Sequence, residues 1–198
     1  APIRPCGCLL LLLLCIRSAR AQSLATYASR IAGLKGDDTV KAMKVDKQGN
    51  AYVVGNFGAG SITIDSSTLR NFGPAPTLLA GTTSDCFVAK FRPSGTVEWA
   101  FAFGGDKNER IVDIALAPNG TGIFLVGNFE SEVLVFSSQA GSPVENVIYG
   151  ATSQIEFNTF LIRVNPLGKV VWVSQTGDND VAGMVIDADH DKIYLVGA

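Results

Sequence analysis

The chain has 198 residues, the length of one domain or of a piece of a larger protein. Apolar residues make up 47% and charged residues 17%, which excludes disorder over the whole length, since so apolar a chain buries enough surface to offset its ordering entropy. A net charge of −2 leaves no basic footprint, so nucleic acid is excluded as a partner.

The first segment stands apart. Arg4 precedes an apolar run from Leu9 to Ile16 that begins with six consecutive leucines, and Ala19-Arg20-Ala21 places small residues at the −3 and −1 positions of a signal-peptidase site. This is the order of a secretory signal over 1–21, cleaved between Ala21 and Gln22. A membrane anchor needs roughly 20 apolar residues, so no membrane span is expected once the signal is removed. Cleavage takes three arginines and no acids, moving the net charge to −5. It also takes Cys6, Cys8 and Cys15, leaving Cys86 alone. Disulfides then contribute nothing within the visible mature chain, and stability rests on packing. The expected compartment is the exterior or the cell surface.

From Tyr27 to Gly33 the pattern is that of a strand ending in a turn. Strands follow at about 40–46, 51–57, 86–92 and 96–103, then at about 111–117, 122–129, 159–164 and 169–175, and last at 184–187 and 192–196. The evidence for strand is a two-residue period: Val97, Trp99, Phe101 and Phe103 alternate with Glu98, Ala100 and Ala102, as on a half-buried strand. Turn chemistry separates the runs at Lys47-Gln48-Gly49-Asn50, Pro93-Ser94-Gly95, Pro118-Asn119-Gly120 and Pro166-Leu167-Gly168. The segments 58–84 and 130–157 are rich in Gly, Ser, Thr and Pro and read as insertions outside the core, with an extra hairpin near Ser61–Asp65.

The chain also repeats itself. Tyr52-Val53-Val54-Gly55-Asn56-Phe57 returns as Phe124-Leu125-Val126-Gly127-Asn128-Phe129 and, in part, as Tyr194-Leu195-Val196-Gly197. Gly55 and Gly127 are 72 residues apart, and Trp99 and Trp172 are 73 apart. A constant period with constant internal order is the mark of a repeat architecture. Two complete four-stranded units, 40–105 and 111–177, are flanked by a lone fourth strand in front and two strands behind. Region 22–198 thereby reads as an open arc that exposes unit faces and strand edges. The equivalent positions of Trp99 and Trp172 predict two buried tryptophans of similar weight.

The order of motifs resembles the SBBP-type β-propeller repeat of secreted and surface proteins. Gly49-Asn50-Ala51-Tyr52, Gly55, Asp85-Cys86-Phe87-Val88-Ala89-Lys90, Gly95, Trp99 and Gly104-Gly105 carry the resemblance. The second copy keeps Phe160, Gly168 and Trp172 but has Asn158 for Asp85 and Arg163 for Lys90. The resemblance covers about 24–198. It implies all-β propeller blades of four antiparallel strands, in a partial propeller. It implies no activity and no cofactor, because the repeating residues build the blade.

The chemistry-bearing residues are few. His190, the one histidine, lies in a turn with Asp187, Asp189 and Asp191, whose alternate acids are weak candidates for Ca²⁺ and read instead as a solvated turn. Cys86 stands next to Asp85, but the sole histidine lies in another repeat and the second copy has Thr159 at the aligned position, so a packed thiol is expected. Gly55-Asn56-Phe57-Gly58-Ala59-Gly60 fits no phosphate-binding spacing. Asn119-Gly120-Thr121 is a sequon in a turn, where Asn119 is accessible for N-glycosylation in a eukaryotic secretory host. The reading is a non-enzymatic extracellular scaffold or recognition protein whose partner is a protein or a glycan. The rivals are a carbohydrate-binding module, which needs exposed aromatics among the inserted Phe72, Phe136, Tyr149 and Phe157, and a propeller enzyme whose catalytic residues lie in other blades.

Overall fold

The computed structural model describes residues 31–33, 38–58, 60–73, 83–137, 143–149, 158–176 and 180–197. The leader over 1–21 with its Ala21–Gln22 junction, Tyr27 and Phe157 lie outside the described residues. Among the described residues there are fifteen strands: β1 (Ile31–Gly33), β2 (Thr39–Val45), β3 (Ala51–Phe57), β4 (Ser61–Ile64), β5 (Ser67–Arg70), β6 (Asp85–Phe91), β7 (Val97–Gly104), β8 (Glu109–Leu116), β9 (Ile123–Phe129), β10 (Val133–Ser137), β11 (Pro143–Tyr149), β12 (Asn158–Val164), β13 (Val170–Gln175), β14 (Val181–Asp187) and β15 (Lys192–Gly197). The architecture is all-β.

The strands pair antiparallel into four sheets, and none closes on itself. Their orders are β1-β4-β5, β11-β10-β7-β6-β3-β2, β13-β12-β9-β8 and β14-β15. Within the two larger sheets the same sequence of four strands recurs, β2-β3-β6-β7 and β8-β9-β12-β13, as the 72-residue period requires. The turn joining the third and fourth strands recurs as well. Gly95 (φ 86°) and Gly168 (φ 80°) occupy the left-handed region that a Cβ disfavours. In the second copy Asn165 Oδ1 accepts from the amides of Leu167 and Lys169, both at 3.0 Å, closing the turn with its own side chain.

The sheets stack as layers with a core between each pair. The central core joins Val54, Val88, Trp99, Phe101 and Phe103 of the six-stranded sheet to Ile111, Leu125, Phe129, Phe160 and Ile162 of the four-stranded sheet. Phe103 lies at its centre, stacked on Phe136 and edge-on to Phe160, each with ring centroids 5.2 Å apart. A second core holds Ile62, Ile64 and Leu69 of the β4–β5 hairpin against Phe57, Phe87, Ala89, Ala100 and Ala102. A third sets Val181 and Met184 of β14 on Val126 and Leu161.

Two expectations are corrected here. The strand over Val97–Gly104 is buried on both faces rather than half-buried. Its large residues enter the central core while Ala100 and Ala102 accept the close approach of the β4–β5 hairpin. The alternation in sequence is therefore one of size, set by two different neighbours. The insertions, read as lying outside the core, supply fully buried Ile62, Ile64, Leu134 and Phe136. Each forms a hairpin that pairs with the strand lying just before its unit: β10 with β7 through Val135↔Gly104 and Phe136↔Phe103, and β4 with β1 through Ile31↔Ile64. The lone strand in front thus relates to the first insertion as β7 relates to the second.

Candidate functional site

Where the β2–β3 and β8–β9 ends meet, a cleft of ≈ 360 Å³ opens between the two larger sheets. Lys41, Asn56, Glu109, Arg110, Asn128 and Glu130 are among its lining residues. Asn56 and Asn128 come from the recurring Gly-Asn-Phe motif, and both are buried. Asn56 Nδ2 donates across the layers to the Glu109 carbonyl at 2.9 Å. Asn128 Nδ2 donates to Thr159 Oγ1 at 3.3 Å, within its own sheet. On the outer side Arg110 forms an ion pair with Asp180, and Asn108 Nδ2 donates to Glu130 Oε2 at 3.1 Å. The mouth therefore carries both signs of charge on side chains whose positions are set by strand ends.

Below the cleft two acids are buried together. Asp85, the first residue of β6, is fully buried, and Glu109, which opens β8, is 1% exposed. Glu109 accepts from the Gly105 amide at 2.8 Å and the Ser131 amide at 3.2 Å. Asp85 Oδ2 accepts from the Phe72 amide, and no donor faces Oδ1. Burial first, and the adjacent Glu109 charge with it, raise Asp85 to about 8 against the amides that favour its charged form. Burial raises Glu109 as well, against the two amides that favour its charged form. A proton on Asp85 turns its side-chain contact with Glu109 into a hydrogen bond, so the pair holds one shared proton. The pair ties one unit to the next. Asp85 and Glu109 are both sealed from solvent, so a ligand in the cleft meets the mouth residues and not the buried carboxyl pair.

The residues singled out in sequence are scattered. Asp187 Oδ1 accepts from the amides of Asp189 and His190, both at 3.2 Å, and Oδ2 lies 2.8 Å from His190 Nδ1. Asp187 is thus engaged in closing its own turn, as Asp46 is with Gln48 and Asn50. Among the described residues no three His, Cys, Asp or Glu side chains gather into a metal-binding group. Cys86 is fully buried between Asn56 and the carboxyl pair, and burial pushes its thiol well above the ordinary range, which makes it a poor nucleophile. Asn119 is exposed on a tight turn between β8 and β9, at φ 59°.

Of the insertion aromatics whose side chains are described, Phe136 is fully buried and Phe72 packs on the second core. The two tryptophans, expected to be equivalent, are not. Trp99 is 3% exposed and Trp172 is 39% exposed. Glu109, Arg110 and Glu130 were not visible as site residues in the sequence because they do not recur. Asn56 and Asn128 carried a signal in their shared motif.

No family model matches the chain. An uncharacterized WD repeat-containing protein of Acanthamoeba polyphaga mimivirus is similar to it, with 25% identity over 144 residues, which is 71% of this chain and 10% of that protein. The aligned region thus spans about a tenth of the length of the curated relative. Among the described residues no helix is long and apolar enough to cross a membrane.

Proposed function

We propose that the chain is a non-enzymatic interaction scaffold built of β-propeller blades of the SBBP type, each blade being one four-stranded unit, and that it binds a polypeptide partner at the cleft between successive blades. The observation that carries this reading is the recurrence of one layered unit with a mixed-charge cleft at the seam. The similarity to a WD repeat-containing protein is consistent with it. A surface of both charge signs on rigid strand ends suits the polar segments of a protein partner, where charge complementarity sets orientation and association rate. Export is part of the proposal, supported by the leucine run and the Ala19-Arg20-Ala21 site.

The test is a peptide array probed with the purified protein. Retention of a restricted peptide set, weakened by Arg110→Glu and Glu130→Lys, is the expected result. Glycan binding that survives both changes, or substrate turnover abolished by Glu109→Gln, overturns it. N-terminal sequencing of exported protein is expected to begin near Gln22, and material retaining Leu9–Leu14 would refute export by cleavage.

A further inference from the structure

We infer that Asn119 is an N-glycosylation site, the acceptor of an oligosaccharide carried on the rim of the molecule opposite the cleft. The sequence holds ten asparagines, and Asn119-Gly120-Thr121 is the one place where an asparagine heads an acceptor triplet. The structure singles out the same residue. The seven other asparagines of the described residues each hold a hydrogen bond through the carboxamide, as Asn50 does to Asp46, Asn71 to the Thr83 carbonyl and Asn158 to Gln175. Among the described residues Asn119 is the one asparagine whose side chain makes no hydrogen bond, and it is exposed, so its Nδ2 is open to a new bond.

The turn that carries it explains why the side chain is free. In the other two units the equivalent turn is closed by an acid: Asp46 Oδ1 accepts from the Gln48 and Asn50 amides, and Asp187 Oδ1 from those of Asp189 and His190. In the middle unit Ala117 stands where those acids do, and the closure passes to other groups. The Ala117 amide donates to the Gly122 carbonyl at 2.8 Å, and the Thr121 amide and hydroxyl donate to the Pro118 carbonyl at 3.3 and 3.0 Å. The Arg163 guanidinium clamps the turn by donating to the Thr121 carbonyl and hydroxyl oxygens. Nothing in this closure uses the Asn119 carboxamide. The Thr121 hydroxyl, which the acceptor triplet requires, is engaged both as donor and as acceptor in the folded turn. Transfer therefore belongs to the emerging chain, before β8 and β9 pair. β8 starts at the cleft with Glu109 and Arg110 and reaches the turn after Leu116, roughly 23 Å away at about 3.3 Å per residue. A bulky, solvated glycan on Asn119 thus leaves the cleft open.

The co-reactant is an oligosaccharide joined through pyrophosphate to a membrane lipid, used by a transferase of a eukaryotic secretory pathway. A bond forms between Asn119 Nδ2 and the anomeric carbon of the sugar, and the bond from that carbon to the pyrophosphate oxygen breaks. The Nδ2 proton passes through a base of the transferase to the departing lipid pyrophosphate, and nothing is oxidised or reduced.

The inference needs the chain in that pathway, which is the export part of the proposed function, and does not depend on the cleft. The test is translation of the chain, with an initiator Met added, in the presence of microsomes from the endoplasmic reticulum. One form keeps residues 1–21, and a second has the leader of a known secreted protein in their place. The expected product is protected from added protease and migrates with the shift of one glycan. Peptide N-glycosidase is expected to remove the shift and leave an aspartate in place of Asn119, read by mass spectrometry. The shift should be lost in Asn119→Gln and Thr121→Ala, kept in Thr121→Ser and unchanged in Arg110→Glu. Acceptance occurs on the nascent chain, so a variant that folds poorly still reports. A protected chain without the shift overturns the inference, as does a shift that survives in Asn119→Gln. Protection and glycosylation with the supplied leader only would refute export through residues 1–21 and leave Asn119 as the acceptor.

Discussion

Asp85 and Asn158 stand at the same position of two units, yet only Asp85 is one of two buried acids. Because the folded state holds a proton on Asp85 up to about pH 8 and the unfolded chain releases it near 4, the folded state binds more protons between these values. Stability therefore falls as pH rises across that window, by up to about 1.4 kcal/mol per pH unit for one proton. Asp85→Asn keeps an acceptor for the Phe72 amide and a donor toward Glu109 without the titration. Urea melts at pH 5, 7 and 9 are expected to slope downward for the parent and to run nearly flat for Asp85→Asn; parallel curves would remove the shared proton. The tryptophans give a second residue-level contrast. Trp99→Ala empties a filled site and is expected to cost ~3–5 kcal/mol. Trp172→Ala, at a half-covered site, should cost about 1 kcal/mol or less. Equal losses in denaturant would contradict the exposure difference.

Within an element, glycine separates strands that must approach closely from strands that need not. A Cβ on Gly127 would lie 2.1 Å from the Arg110 carbonyl and 2.5 Å from the Phe160 ring, and a carbonyl in the ladder has no room to yield. On Gly183 the nearest atom is a Val196 methyl at 3.6 Å, an ordinary contact. Gly127→Ala is therefore expected to destabilise by about 1–3 kcal/mol through overpacking. Gly183→Ala should be neutral or gain a few tenths from reduced freedom of the unfolded chain. Thermal melts of the pair read the difference, and a tolerated Gly127→Ala would mean that β8 and β9 can separate. The inserted hairpins show the opposite device: β10 adds to β7 by its edge, so a segment that looks like a loop extends a sheet and fills its core with Phe136.

Among the described residues the main contacts between sheets join adjacent layers, so coupling is nearest-neighbour in character. Met184 belongs to the core between the last two layers and Phe103 to the one at the centre. Met184→Ala is expected to release β14 and β15 to hydrogen exchange while β3, β6, β9 and β12 keep their protection. Phe103→Ala should weaken protection on both sides of the central core. Uniform loss of protection in Met184→Ala would show a single cooperative unit instead.

The period, the positions of the eight strands of the two full units to within about two residues and the turn glycines were legible in the sequence, because each is dictated locally by alternation or by a φ that only glycine adopts readily; β14 begins three residues before the expected 184, and β5, β10 and β11 were not read as strands. The sequence also marked Asn56 and Asn128 through their shared motif. What the insertions do, which tryptophan is covered and where the two acids meet were decided by the stacking of layers. Trp99 and Trp172 hold the same register position, opposite Lys90 and Arg163, and differ in what the next layer sets against them. Asp85 and Glu109 are separated by 24 residues and belong to different sheets. Their shared burial arises from the packing of one sheet on another, a contact between faces that neither strand's own pattern encodes.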